Sequence, residues 1–266
     1  YIYDTNEMSR LAYESIANDI NNNLDNPDYC MKKLIEKEYD IYKERENNFS
    51  HMFITLAEDY LNQNQTRFPN TFEVISELLN NANQTEEFEL DFLKDVGKIY
   101  RLVAESNAQA RKSRAGASLE NHLQKLLELK GYEIGTDFET QAIIENCKVD
   151  FFFPNKDYYE SSPEHCYSIS CQTTSNDRFR LSESQRVDNT IGRNCTAIGC
   201  DGFGDALGPN SLTDEKLQEA FQASLKFVMI GSEMDDRLSG NISVMSYSDF
   251  FEELSLSRNF WNQNNT

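Results

Sequence analysis

Asp150 stands at the head of the apolar run Phe151-Phe152-Phe153-Pro154, and twenty-two residues on a second strand-like run ends in Ser170-Cys171-Gln172. A solitary carboxylate beside such a run is costly unless it is paired or holds a metal. A carboxylate on one strand and a Lys at the end of the next could hold divalent cations and set a water against a phosphodiester. Here the Lys position reads Gln172. A glutamine can hydrogen-bond a water, but it offers no positive charge and takes no proton at neutral pH.

Basic groups flank this pair in sequence. Arg111, Lys112 and Arg114 form the densest basic cluster of the chain, just ahead of a helix that carries Glu120. Asp177, Arg178 and Arg180 follow Gln172 within eight residues. Arginine and lysine can hold phosphates or bind guanine O6 and N7 in the major groove, and an aspartate can accept from cytosine N4. Surface ion pairs are the plain alternative for all five basic groups.

The elements that must position these residues fall into two parts. Residues 1–107 space apolar residues at three and four throughout, which predicts helices at Met8 to Ile20, Met31 to Tyr42, Met52 to Leu61, Phe72 to Leu79 and Phe88 to Val103. No chemistry is recognisable there, and a dimerisation or scaffold role is expected. From 108 to 266 the pattern alternates. A helix over Ser118 to Lys130 is stopped by Gly131. Strands are expected at Phe138 to Ile144, Lys148 to Phe153, Cys166 to Gln172, Cys195 to Ile198, Phe227 to Ile230 and Ile242 to Met245. Helices are expected at Asp177 to Asn189, Thr213 to Leu225 and Ser248 to Leu254. That alternation predicts an α/β fold, a sheet flanked by helices, with an all-helical N-terminal part.

Composition limits the partners. The 266 residues carry a net charge of −20, which taken alone argues against a nucleic-acid partner. Its distribution is uneven: residues 1–100 hold −11, residues 101–180 only −2, and the remainder −7. A local basic groove remains compatible with these numbers, and binding through it would be strongly salt-dependent. The six cysteines include no Cys-x2-Cys, so zinc is not expected, and reduced thiols in a cytoplasm fit best. No run of about 18 apolar residues occurs and no export signal opens the chain, so no membrane role is expected.

Three blocks taken in order resemble a known family: Arg111-Lys112-Ser113-Arg114 through Glu120, then Val149-Asp150-Phe151-Phe152-Phe153-Pro154, then Gln172 through Asp177-Arg178-Phe179-Arg180. They are similar to the EcoRII C-terminal domain family, to which PspGI is related, among type II restriction endonucleases of the PD-(D/E)xK superfamily. The likeness spans about residues 108–190. It implies a restriction-endonuclease-like mixed sheet and a homodimer acting on double-stranded DNA in the cytoplasm of a prokaryote, within restriction-modification. It also implies Mg²⁺-dependent cleavage at a short CC…GG site of the CCNGG or CCWGG kind. Carried over by position, Asp150 and Glu120 are metal-binding carboxylates. Tyr159, nine residues after Asp150 and next to Tyr158, matches an active-site tyrosine. The basic residues named above, with Asp177, match DNA-contacting positions.

Two departures stand in the same place. Gln172 replaces the family lysine, and the carboxylate expected about thirteen residues later falls on Gln185, leaving Glu183 as the nearest acid for catalysis and metal. Three readings of Gln172 stay open: a working site adapted to glutamine with Glu183 compensating, an engineered inactive form, and a degenerate nuclease that only binds DNA. A structural helical protein with no nucleic-acid role is a further alternative, resting on the charge.

Overall fold

The computed structural model describes residues 4–63, 117–144, 147–172, 191–199 and 212–264. The chain divides into two compact units, one of residues 1–2 and 42–113, the other of residues 3–41 and 114–266. In the first, the described part is the long continuation of one helix. The second holds the sheet.

Among the described residues the elements run α1 (Thr5–Asn22), α2 (Pro27–Gln63), α3 (117–129), β1 (Glu139–Ile144), β2 (Cys147–Phe153), α4 (Lys156–Ser161), β3 (Tyr167–Gln172), β4 (Arg193–Ile198), α5 (Asp214–Gln222), β5 (Leu225–Met229), α6 (Asp236–Ser239), β6 (Val244–Ser246) and α7 (Tyr247–Asn264). The six strands lie in the order β1-β2-β3-β4-β5-β6. The β1/β2 and β2/β3 pairs are antiparallel, and the remaining three are parallel. The sheet flanked by helices, with helices at the N-terminus, is what the alternation of patterns predicts, and its mixed character is what the family resemblance implies.

Helices cover both faces of the sheet. Neighbouring positions on β5 show it: Val228 joins the core formed with α1, α2, α3 and α7, while Phe227 and Met229 join a second core under α5 and α6. A strand buried on both sides reads as a continuous apolar run, which is why Phe151, Phe152 and Phe153 are all buried in β2.

The elements that carry the site are tied down locally. Helix α3 buries Leu119, Leu123, Leu126 and Leu127 and ends at Gly131, φ 80°, where Tyr132 N–H donates to Leu127 O and Gly131 N–H to Glu128 O. Those two bonds form the double closure that a left-handed residue permits at a helix end. The turn that follows is clamped by α7: Arg258 donates through Nε and Nη2 to the two oxygens of buried Asp137, and through Nη2 to Gly131 O. On the other side of α3, buried His122 lies 2.9 Å from Glu38 of α2, which also accepts from Ser9 of α1 at 2.7 Å. Glu120 is therefore presented by a helix held at its end and along its buried face.

Most bounds shift by one to three residues, as where β5 begins at Leu225 and β6 at Val244, and three differences from the sequence reading are larger. The stretch expected as two helices over 31–61 is one helix, α2. A short helix, α4, follows Pro154; Asn155 caps it by accepting from Tyr158 N–H. Helix α7 runs ten residues past Leu254, because Trp261 is buried there and its Nε1 donates to His165 O at 2.9 Å. The helices expected at 72–79, 88–103 and 177–189 lie outside the described residues.

Candidate active site

Strands β2 and β3 part company at Asp150. Their ladder runs Phe153↔Tyr167, Phe152↔Ser168 and Phe151↔Ile169 and then stops, while β3 continues beside β4 as far as Gln172↔Ile198. A backbone amide that leaves a ladder must find another acceptor. Cys171 N–H finds one in the Asp150 side chain, donating to Oδ2 at 2.7 Å. Asp150 thus sits at the fork, with one carboxylate oxygen engaged by the diverging strand.

Its other oxygen faces β1 and α3. Gln141 of β1 donates through Nε2 to Asp150 Oδ1 at 3.1 Å and to Glu120 Oε2 at 2.8 Å, so one amide nitrogen links the two acids. Lys148 stands two residues before Asp150 on the same face of β2, exposed to solvent. Its charge pulls both carboxyls down, but more weakly than burial pushes them up. Burial raises Asp150 above its ordinary value despite the bonds from Cys171 and Gln141. Glu120 is raised to about 7, first by burial and then by the charge of Asp150. The buried Cys171 thiol is pushed well above its usual value, first by burial and then by the charges of Asp150 and Glu120.

Two half-buried carboxylates whose oxygens converge on one N–H₂ group make a place that favours positive charge. The donors are hard oxygens, the kind that hold Mg²⁺, an ion commonly bound by one or two carboxylates together with substrate phosphates. Among the described residues no group of three or more His, Cys, Asp or Glu converges. The residues fit a cation completed by phosphate and water, not a closed protein cage.

The site carries a stability cost in the metal-free protein. A carboxyl whose folded value lies near 7, against about 4.5 ordinarily, favours its neutral form. The cost is absent below about pH 4.5, grows as pH rises toward 7 and is complete above it. Glu120→Gln removes the charge and keeps the shape. In metal-chelating buffer it is expected to be more stable than the parent by about 1 kcal/mol at pH 8, after discounting for a partly exposed, solvent-screened group. The gain should vanish by pH 5. Urea unfolding at the two pH values checks this, and equal stability at pH 8 would contradict it.

Of the residues picked out by sequence, Asp150 and Glu120 are brought together. Tyr159 lies on α4 and packs edge-on against Phe152 of β2, ring centroids 5.8 Å apart. Gln172 ends β3, next to the residue whose amide binds Asp150. Its side chain, and Arg111, Lys112, Arg114, Asp177, Arg178, Arg180, Glu183 and Gln185, lie outside the described residues. Sequence reasoning missed Gln141 and Lys148. The second was open to it, as a cation two residues from Asp150 on an alternating strand; the first was not.

Residues 76–191 match the family model EcoRII C terminal. The match begins well before residue 108, in the stretch whose apolar spacing predicts helices. The type II restriction enzyme EcoRII of Escherichia coli is 37% identical over 102 residues, covering 35% of this chain and 24% of that enzyme. The matched region is therefore about a quarter of the relative's length. Among solved structures, metal-depleted Ecl18kI in complex with uncleaved DNA superposes with a TM-score of 0.71 at 18% identity, over 100% of this chain and 82% of that one. The restriction endonuclease PspGI in complex with substrate DNA gives 0.62 at 17% identity, over 97% and 94%. These likenesses place the sheet and its flanking helices in the restriction-endonuclease fold.

Proposed function

We propose that the chain, whose residues 76–191 match the EcoRII C-terminal family model, is a type II restriction endonuclease that cuts both strands of duplex DNA at a short CC…GG site in the presence of Mg²⁺. The observation that carries this reading is the convergence of Glu120 and Asp150 at the point where β2 and β3 separate. The cation supplies charge neutralisation at the phosphate and an activated water. Asp150 and Glu120 hold it, and Glu183 is the further acid of the same set. Cys171 N–H orients the Asp150 carboxylate by binding one of its oxygens. Tyr159 of α4 packs on Phe152, two residues along β2 from Asp150.

Gln172 leaves the end of β3 without the expected charge, and Lys148 supplies a positive charge to the same two carboxylates. Arg111, Lys112 and Arg114 grip phosphates or guanines ahead of α3, and Asp177, Arg178 and Arg180 read bases beyond β3. A homodimer sets two such sites against the two strands of a palindrome-like target, so protein and DNA share one two-fold axis. The cytoplasm is the expected compartment. Among the described residues no helix is long and apolar enough to cross a membrane. Binding through these basic side chains is steeply salt-dependent.

Incubating plasmid DNA with the protein and Mg²⁺ at low salt tests the reading: discrete double-strand fragments are expected. A retarded but intact band would instead mark the rival reading, a DNA-binding protein on the same fold that does not cut. Gln172→Lys separates the two further. If the natural site is impaired, the variant should cut at least about tenfold faster, a loss of about 1.4 kcal/mol from the barrier. A site adapted to glutamine gains nothing or slows.

A further inference from the structure

The ladder between β1 and β2 breaks step at position 141. The pairs on either side, Thr140↔Phe151 and Ala142↔Val149, put Gln141 directly across from Asp150, yet that pair is skipped and Gln141 has φ 53°. Glycine takes a left-handed backbone freely. A residue with a Cβ keeps it only where its surroundings hold it there, and such positions cluster at functional sites. The Gln141 side chain shows what that conformation serves. Its Nε2 reaches Glu120 Oε2 and Asp150 Oδ1, spending its two hydrogens on acids from two different elements. Both partners are carboxylate oxygens, which only the nitrogen end of the amide can serve, so the amide's orientation follows from its neighbours.

That nitrogen stands where the two acids converge. Without it, two half-buried carboxylates would face each other with no side-chain donor between them among the described residues. A hard divalent cation would engage the same two oxygens. We propose that Gln141 is the positioning residue of this site: in the metal-free protein its amide holds the place between Asp150 and Glu120, and a divalent cation binds by displacing it. The proposal rests on reading Asp150 and Glu120 as cation ligands.

A competitor and a cation cannot both use the same oxygens, so removing the amide acts twice in one direction. It frees the oxygens, and it leaves two acids whose mutual repulsion a cation relieves. Gln141→Gly is the suitable change, because a left-handed φ is natural to glycine and the fold has no reason to suffer there. Titrated with Ca²⁺ in a calorimeter, without DNA, the variant should bind about tenfold more tightly than the parent, the scale set by bonds to charged groups. Gln141→Met, of similar length but without the donor, should reproduce the gain. In the parent, the side-chain ¹⁵N amide signal of Gln141, identified by its loss in Gln141→Gly, should shift as Ca²⁺ saturates the site.

Unchanged or weaker Ca²⁺ binding in Gln141→Gly overturns the proposal, as does a gain seen with glycine and not with methionine, which would place the effect in the backbone. Absence of Ca²⁺ binding by all three proteins overturns it as well. Plasmid cleavage is scored separately. A parent that binds Ca²⁺ through these acids, tightens in both variants and cuts no DNA sinks the nuclease reading and leaves this one standing. A nuclease whose Ca²⁺ affinity ignores position 141 does the reverse.

Discussion

Asp150→Asn is expected to reduce plasmid cleavage at least about a thousandfold while leaving the protein folded and its DNA affinity within a few-fold of the parent. The size follows from the cation's part in the reaction, several kcal/mol of charge stabilisation, at about 1.4 kcal/mol for each tenfold in rate. The fold survives because asparagine has the same shape and keeps one acceptor. It can still serve either Cys171 N–H or Gln141 Nε2 but not both, since its other end is now a donor. Against that lost bond stands the removal of a charge that burial already disfavours. The two changes oppose each other, and stability in metal-free buffer should move by no more than about 1 kcal/mol. Binding of DNA without metal should hold or improve, because one negative charge leaves the place where a phosphate must come. A cleavage time course and a gel-shift titration on the same preparation check both halves. Cleavage within tenfold of the parent would mean that the chemistry lies elsewhere in the molecule.

How far the sequence alone reached depends on how local each signal was. The strands of the sheet are legible because each is a short apolar run with its own boundaries, and a run such as Phe151-Phe152-Phe153 declares burial without reference to the rest of the chain. Asp150 is legible for the same reason, as a charge abutting that run. Glu120 needs its helix to be recognised first. Gln141 defeats the sequence entirely: in an alternating strand it looks like any solvent-facing residue. Its role depends on a left-handed φ, on a cross-strand neighbour nine residues away and on a helix residue twenty-one positions back. The end of α7 fails differently. Ser255, Ser257 and Asn259 make the stretch after Leu254 look like a helix running out, and only the burial of Trp261 against the backbone near β3 shows why it continues. Long-range polar partners leave no periodic trace, so they are the class of feature that a sequence reading loses.

Asp28 belongs to that class, and its removal should cost more stability than any surface change. It sits in the first turn of α2, where the sequence Pro27-Asp28 reads as nothing more than a good helix start. In the folded chain its carboxylate accepts from Gly231 N–H at 2.7 Å, Tyr247 N–H at 3.1 Å and Ser248 N–H at 3.0 Å, and from the Ser248 hydroxyl. Tyr247 and Ser248 open α7, whose first N–H groups have no partners within the helix. The next donor, Asp249 N–H, is served by Ser246 Oγ, and Asp249 answers by accepting from Ser246 N–H. The start of α7 is therefore satisfied jointly by a local capping box and by an acid more than two hundred residues away. Asp28→Ala leaves three backbone donors unserved in a half-buried place. At roughly 1 kcal/mol or more for each, the loss should be about 3 kcal/mol, lowering the Tm by roughly 6–12 °C for a chain of this size. Asp28→Asn keeps one accepting oxygen and should lose about half as much. The effect should also reach the site, because Tyr247 donates its hydroxyl to Ile198 O, and Ile198 is the β4 partner of Gln172. Cleavage by Asp28→Ala should consequently fall off at a lower temperature than binding of the cation to Asp150 and Glu120, which stand on β2 and α3. Thermal unfolding beside a temperature series of plasmid cleavage tests both statements. A Tm within 2 °C of the parent would mean that water replaces the Asp28 carboxylate at no cost, and that the capping box alone is enough to start α7.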